Sequence, residues 1–296
     1  MHHFTANSTI REVVNDPAFR DFGHLLFPVD RNVPGSMTLK ALTTSGIYIW
    51  YSDIRTEETV DVVNYLYQEA AIDRQIFYRY YSDKEIARNP EKADTGLFFF
   101  RGRKGAPFVV NNAGGGFMYV AAMHDSFPHA LALSRMGYNA FAIIYRPETA
   151  YEDLARALVF IHDHADSLGV DANHYSLWGG SAGARMAAVL GNKAYLQQLT
   201  GRSNFPQADA IIMQYTGYDY VSRYDAPVYV CVGDRDGIAW WRTMQERLKS
   251  LSSLGIPTEF HVYPGLTHGF GLGNGTVAEG WIDDAVRFWE KQMKHK

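Results

Sequence analysis

An apolar, strand-like run, His174-Tyr175-Ser176-Leu177-Trp178, leads straight into Gly179-Gly180-Ser181-Ala182-Gly183 and then into the helix-like Ala184-Arg185-Met186-Ala187-Ala188-Val189-Leu190. A strand-to-helix turn this tight leaves no room for side chains beside the serine, so glycine stands two positions before it and two after. The arrangement confines the chain to folds in which a strand feeds directly into a helix. It also presents the Ser181 hydroxyl clear of the backbone.

The surrounding sequence fits that constraint. From residue 75 onward, short β-branched or aromatic runs alternate with amphipathic stretches, the pattern of an α/β protein with a mainly parallel sheet. Strands are predicted at 75–81, 95–101, 107–112, 138–145, 174–178, 209–214, 228–232 and 258–263, and helices at 126–136, 150–168, 182–192, 240–254 and 277–294. Each helix between the third and eighth strands is long enough to cross from one parallel strand to the next. Residues 1–74 form an N-terminal extension with helices at 11–19 and 57–71 around the punctuated Phe27-Pro28-Val29-Asp30-Arg31-Asn32-Val33-Pro34-Gly35. This extension is a candidate cap over a catalytic domain at 75–296. The charged stretch 82–94 reads as a solvated hairpin connection.

A neutral hydroxyl is a poor nucleophile, so Ser181 needs a base. His268, in Tyr263-Pro264-Gly265-Leu266-Thr267-His268-Gly269-Phe270 just past the last strand, is the candidate, on a loop whose glycines let it reach the sheet edge. The base needs an acid to hold its tautomer and balance the imidazolium. Gly233-Asp234-Arg235-Asp236-Gly237-Ile238 follows the seventh strand and offers two. Asp236 is preferred, because the turn after Gly233 brings the third residue to the sheet top; Asp234 is the alternative. A tetrahedral intermediate also needs donors for its oxyanion. Gly114-Gly115-Gly116, directly after the third strand, suits that need, with donors expected from Gly115, Gly116 and Ala182.

Gly-Gly-Gly-Phe after the third strand, Gly-Gly-Ser-Ala-Gly at the turn and His-Gly-Phe near the end resemble the hormone-sensitive-lipase-like and acetyl-esterase branches of the α/β-hydrolase superfamily. The resemblance covers residues 75–296. It implies an eight-stranded, mostly parallel sheet with an antiparallel second strand, flanked by helices, and cofactor-independent ester hydrolysis by a triad mapping onto Ser181, Asp236 and His268. Many such proteins carry histidine immediately before the three glycines, where this chain has Ala113.

The connection 215–227 is short for an inserted lid, so any lid comes from elsewhere, and the N-terminal helices are the candidate. Aromatic residues crowd the loops near the site, and Phe117, Tyr215 and Trp240 are the expected substrate contacts. The predicted substrate is a small, short-acyl ester, cleaved by a serine carboxylesterase. Serine peptidase or acyltransferase chemistry is an alternative, since the same triad serves amides and other acyl acceptors, and a non-catalytic binding protein on this fold is another. A net charge of -4 leaves no basic excess to attract nucleic acid or anionic membrane, and no uncharged apolar run reaches spanning length. His162 and His164, two apart on a helix, do not converge as metal ligands. Gly269-Phe270-Gly271-Leu272-Gly273-Asn274-Gly275 lacks the strand and helix of a dinucleotide fingerprint. The single cysteine, Cys231, lies in an apolar run and forms no intrachain disulfide, and the N-terminus has no secretory pattern; a cytoplasmic location is expected.

Overall fold

A computed structural model describes residues 3–295. Met1, His2 and Lys296, the outermost residues of the two expected segments, lie outside the described residues. Eight strands form one sheet in the order β1-β2-β4-β3-β5-β6-β7-β8: β1 Phe77–Tyr78, β2 Gly96–Phe100, β3 Pro107–Asn112, β4 Asn139–Ile144, β5 Asp171–Gly180, β6 Ala210–Gln214, β7 Val228–Gly233 and β8 Thr258–Tyr263. β2 is antiparallel to both neighbours and the remaining pairs are parallel. Strands β2, β4, β6 and β7 are buried throughout, which is why they read as unbroken apolar runs.

The helices are α1 Ile10–Val14, α2 Leu39–Thr43, α3 Thr56–Ala71, α4 Asp83–Arg88, α5 Ala122–Asp125, α6 Phe127–Arg135, α7 Ala150–Asp163, α8 Ala165–Leu168, α9 Ala182–Gly191, α10 Lys193–Thr200, α11 Trp241–Ser253 and α12 Trp281–Met293. Helix α9 packs on β3, β5 and β6, with α7 and α10 against it. Helices α6 and α12 meet where the His129 and Trp281 rings lie 5.7 Å apart. Among the described residues, no helix is long and apolar enough to cross a membrane.

Some elements depart from the sequence expectations. The stretch 82–94 connects β1 to β2 but is helical: Ser82 and Glu85 form a reciprocal capping box that starts α4, and Pro90 opens a 3-10 turn. Helix 11–19 is cut to α1, with Pro17 three residues beyond its end. The expected helix 150–168 breaks at His164 into α7 and α8. Helix α10 was not anticipated, although Asn192 caps its start with two hydrogen bonds and Gly201 ends it in the left-handed conformation.

The N-terminal segment shares the sheet's hydrophobic core. Phe22 stacks on Phe77 at 4.7 Å and Tyr65 on Phe100 at 5.5 Å. Buried Asn64 on α3 accepts from the Phe4 N–H and donates to the Phe4 carbonyl, both at 2.9 Å, so the chain's start is pinned to α3.

The chain leaves β3 for β4 on one side and returns to β5 on the other. The C-terminal ends of β3 and β5 therefore flank a point where the winding direction reverses, and loops leaving such strands diverge to open a crevice. The pairing of Asn112 with Gly179 and of Gly180 with Gln214 brings three strand ends level there.

One buried group supports this edge from below. His129 on α6 meets Gln214 at the end of β6 through Nε2 at 2.9 Å, and burial holds its imidazole down to about 4 from an ordinary value near 6.5. The unfolded chain then binds the extra proton between about pH 6.5 and 4, so this contribution is full above pH 6.5 and is lost as pH falls toward 4. Urea unfolding of wild type and His129→Gln across that range should show the stability difference shrinking by about 3 kcal/mol toward acid. Parallel curves would contradict it.

Candidate active site

Ser181 occupies the turn between β5 and α9 with φ 52° and ψ -121°, a conformation that non-glycine residues rarely adopt. The turn closes because its neighbours lack side chains. A Cβ on Gly179 would lie 2.2 Å from the Gly183 carbonyl oxygen, and one on Gly183 would lie 1.9 Å from that of Asn112. Helix α9 is thereby seated against the end of β3, with its positive N-terminal end at the serine.

His268 bridges the site. Its Nε2 lies 3.0 Å from Ser181 Oγ and its Nδ1 2.8 Å from Asp236 Oδ2. A carboxylate only accepts, so Nδ1 carries the proton and Nε2 is left to accept from the serine hydroxyl. The other Asp236 oxygen accepts from the N–H groups of Ile238 and Ala239 at 2.8 and 2.7 Å. Three donors thus satisfy a carboxylate whose side chain is wholly buried. Asp234, the alternative acid, is exposed and accepts from the Gly265 N–H at 2.7 Å, bracing the turn that precedes the histidine.

The loop after β3 presses against Ser181: a Cβ on Gly114 would lie 2.8 Å from that of the serine. Gly115 and Gly116 take φ of 131° and 64°, which glycine adopts without strain. Among the described residues, the N–H groups of Gly115, Gly116 and Ala182 carry no intramolecular hydrogen bond. Ala113, immediately before the three glycines, is buried, and its carbonyl accepts from the Tyr145 hydroxyl at 2.5 Å.

The three expected substrate contacts fall in different places. Phe117 continues the glycine loop, half-buried with φ 55°, edge-on to Tyr151 and beside a cavity of about 440 Å³ also lined by Tyr145, Arg146 and Glu148. Tyr215 is fully buried: its ring packs edge-on to His268 at 5.0 Å, so it underlies the imidazole and offers no surface to a pocket. Trp240 stands exposed at the start of α11, just past the two N–H groups that hold Asp236. His162 and His164 turn apart, each bonded through Nδ1 to the carbonyl four residues earlier on α7.

The N-terminal segment contributes residues that sequence reasoning missed. Ser52 donates from Oγ to the His268 carbonyl at 2.8 Å and from its N–H to the Gly269 carbonyl at 3.2 Å. The Trp50 ring covers Gly116, where a Cβ would come within 2.8 Å of it. His124 also bonds the Gly269 carbonyl, at 2.9 Å. None of these has a local signature; only the aromatic Tyr48-Ile49-Trp50-Tyr51 cluster hinted that the segment is packed against something.

The BD-FAE family model matches residues 100–215, a span that holds the glycine loop and Ser181 and stops short of Asp236 and His268. No curated protein matches the chain. Among solved structures, the chain is similar to an acetyl ester-xyloside bifunctional hydrolase from Caldicellulosiruptor lactoaceticus, 19% identical, covering 73% of this chain and 95% of that one with a TM-score of 0.61. A thermophilic esterase, Est2, from the Planctomycetes species Thermogutta terrifontis is 19% identical, covering 71% of this chain and 89% of that one with a TM-score of 0.59. An α/β-hydrolase enzyme from a Medee basin deep-sea metagenome library is 20% identical, covering 68% of this chain and 93% of that one with a TM-score of 0.55. The fold of this chain is that of the α/β-hydrolases.

The geometry separates the two aspartates. Asp236→Asn should lower turnover on an activated ester on the order of 10⁴-fold, the effect of losing the tautomer-holding carboxylate, while Asp234→Asn should cost about tenfold or less; the reverse ranking would reassign the acid. Gly183→Ala, which drives a methyl into the end of β3, should yield little folded protein, as read by circular dichroism and soluble yield.

Proposed function

We propose that this protein is a serine carboxylesterase that hydrolyses small, short-acyl esters through an acyl-enzyme intermediate. The observation that carries the reading is the His268 imidazole held between Ser181 Oγ at 3.0 Å and Asp236 Oδ2 at 2.8 Å. In this reading Ser181 Oγ attacks the ester carbonyl as His268 Nε2 takes its proton, and the imidazolium is stabilised by Asp236. The C=O electron pair moves to oxygen, which the N–H groups of Gly115, Gly116 and Ala182 receive. Collapse expels the alcohol, protonated by His268. Water then adds to the acyl-enzyme with His268 again as base, and the carboxylic acid leaves as Ser181 recovers its proton.

Supporting an ester substrate, the similar structures include proteins described as an esterase and as an acetyl ester-xyloside bifunctional hydrolase. Supporting a small one, residues 1–74 act as the cap of a catalytic domain at 75–296, with the Trp50 ring over Gly116 narrowing the space above the oxyanion loop. Phe117 lines the substrate side of that loop.

Hydrolysis of p-nitrophenyl acetate, butyrate and octanoate by wild type and Ser181→Ala tests this. Wild type should favour acetate and butyrate over octanoate, and the variant should lose activity by a factor on the order of 10⁴ or more. Unchanged activity in Ser181→Ala would overturn the mechanism, and a preference for octanoate would overturn the small pocket.

A further inference from the structure

A second buried carboxylate lies beneath the site, and the triad does not use it. Asp125, at the end of the single-turn α5, is 2% exposed and pairs with no cation among the described residues. Leaving a carboxylate there is costly unless donors surround it. Three do. Its Oδ2 accepts from the Gly114 N–H at 2.8 Å and the Tyr51 hydroxyl at 2.8 Å, and its Oδ1 accepts from the Tyr215 hydroxyl at 2.6 Å.

Each donor belongs to a different part of the site. Gly114 opens the oxyanion loop, Tyr51 comes from the N-terminal segment, and Tyr215 directly follows β6 beneath the His268 ring. The Tyr215 hydroxyl in turn accepts from the Gly271 N–H at 3.2 Å, on the loop that carries His268. The carboxylate also lies against the residue before the nucleophile: a Cβ on Gly180 would meet Asp125 Oδ1 at 2.4 Å. Burial, and then the charge of Asp125, push both tyrosine hydroxyls well above their ordinary range, so they remain donors.

The consequence for the oxyanion loop is directional. Gly114 is held at both ends of its backbone, its N–H by Asp125 and its carbonyl by the Ala121 N–H at 3.0 Å. With that N–H turned down to Asp125, the next two, on Gly115 and Gly116, are left without internal acceptors. We propose that Asp125 is a positioning residue, which orients the oxyanion loop and ties it to the loop of the base through Tyr51 and Tyr215. This rests on the serine esterase reading above. It differs from the role of Asp236, since Asp125 touches neither the imidazole nor the reacting atoms.

Asp125→Asn keeps the shape and replaces one acceptor oxygen with a donor, so either Tyr215 loses its acceptor or Gly114 and Tyr51 both do. The test uses a fluorophosphonate probe, followed by intact mass, together with p-nitrophenyl acetate kinetics. The end point of labelling counts competent Ser181 sites, and its rate reports their geometry. Asp125→Asn should reach the wild-type end point while its labelling rate and its kcat per labelled site fall by about 10²-fold, the scale set by a misplaced reacting group, with KM within about threefold. Tyr51→Phe, which removes one donor from a half-buried position, should fall several-fold in the same way. Wild-type rates in both variants would overturn the proposal. So would an Asp125→Asn protein that loses end-point labelling while Tyr51→Phe stays at the wild-type rate, because that pattern belongs to folding alone. A wild type that never labels at Ser181 would instead sink the serine esterase reading, an outcome distinct from either.

Discussion

The site depends on one steric condition, the close approach of helix α9 to the end of β3. Gly183 lies so near the Asn112 carbonyl that a single methyl group cannot be inserted. That contact brings the N-terminus of α9, and with it the Ala182 N–H, up to the loop that leaves β3. It also holds Ser181 at a positive φ, a conformation that costs on the order of 1–3 kcal/mol and survives only when the surrounding packing leaves no alternative. The packing supplies that compulsion through β5, which is paired on both sides by parallel strands and buried at its C-terminal half.

The rest of the site is built on what this contact leaves open. The crevice at the winding reversal receives the glycine loop from β3 and the serine from β5, while Asp236 and His268 arrive from β7 and β8, farther along the same edge. Two of these loops are long and glycine-rich, so their geometry must come from bonds to other parts of the chain. The His268 loop is held by Ser52, His124, Tyr215, Gln214 and Trp281, each touching a backbone group between His268 and Gly271. The imidazole is therefore fixed less by its own loop than by side chains scattered over more than two hundred residues of sequence.

That distribution explains what was legible beforehand. The strands announced themselves because burial on both faces forces apolar runs, and Gly179 to Gly183 and Gly114 to Gly116 stood out because close backbone approach leaves glycine as the residue that fits. The tight turn after Gly233 was also readable: its carbonyl accepts from the Asp236 N–H at 3.4 Å. By contrast, the hydrogen bond from Ser52 to His268 spans 216 positions and leaves no periodic or local trace. Tyr215 looked like pocket lining because it follows a strand end near the site, but a phenol beneath an imidazole and one beside a substrate read identically in sequence. The segment 82–94 was misread for another reason: its charges were weighed as solvation, although Ser82 followed three residues later by Glu85 is a helix start.

The N-terminal segment bears on how the site can move. Phe22 and Tyr65 bury against strand residues of the sheet, and the buried leucines of α2 and α3 belong to the same core, so this segment is held by apolar contact over much of its length. At residues 50–52 it touches two loops of the site, Trp50 lying over Gly116 and Ser52 bonding the carbonyls of His268 and Gly269. A segment with those attachments cannot swing away as a free lid, because opening it would break the Ser52 bonds to the His268 loop and uncover Gly116 together. By contrast, Met118 on the glycine loop and Ile238 and Trp240 beyond Asp236 stand exposed at loop tips.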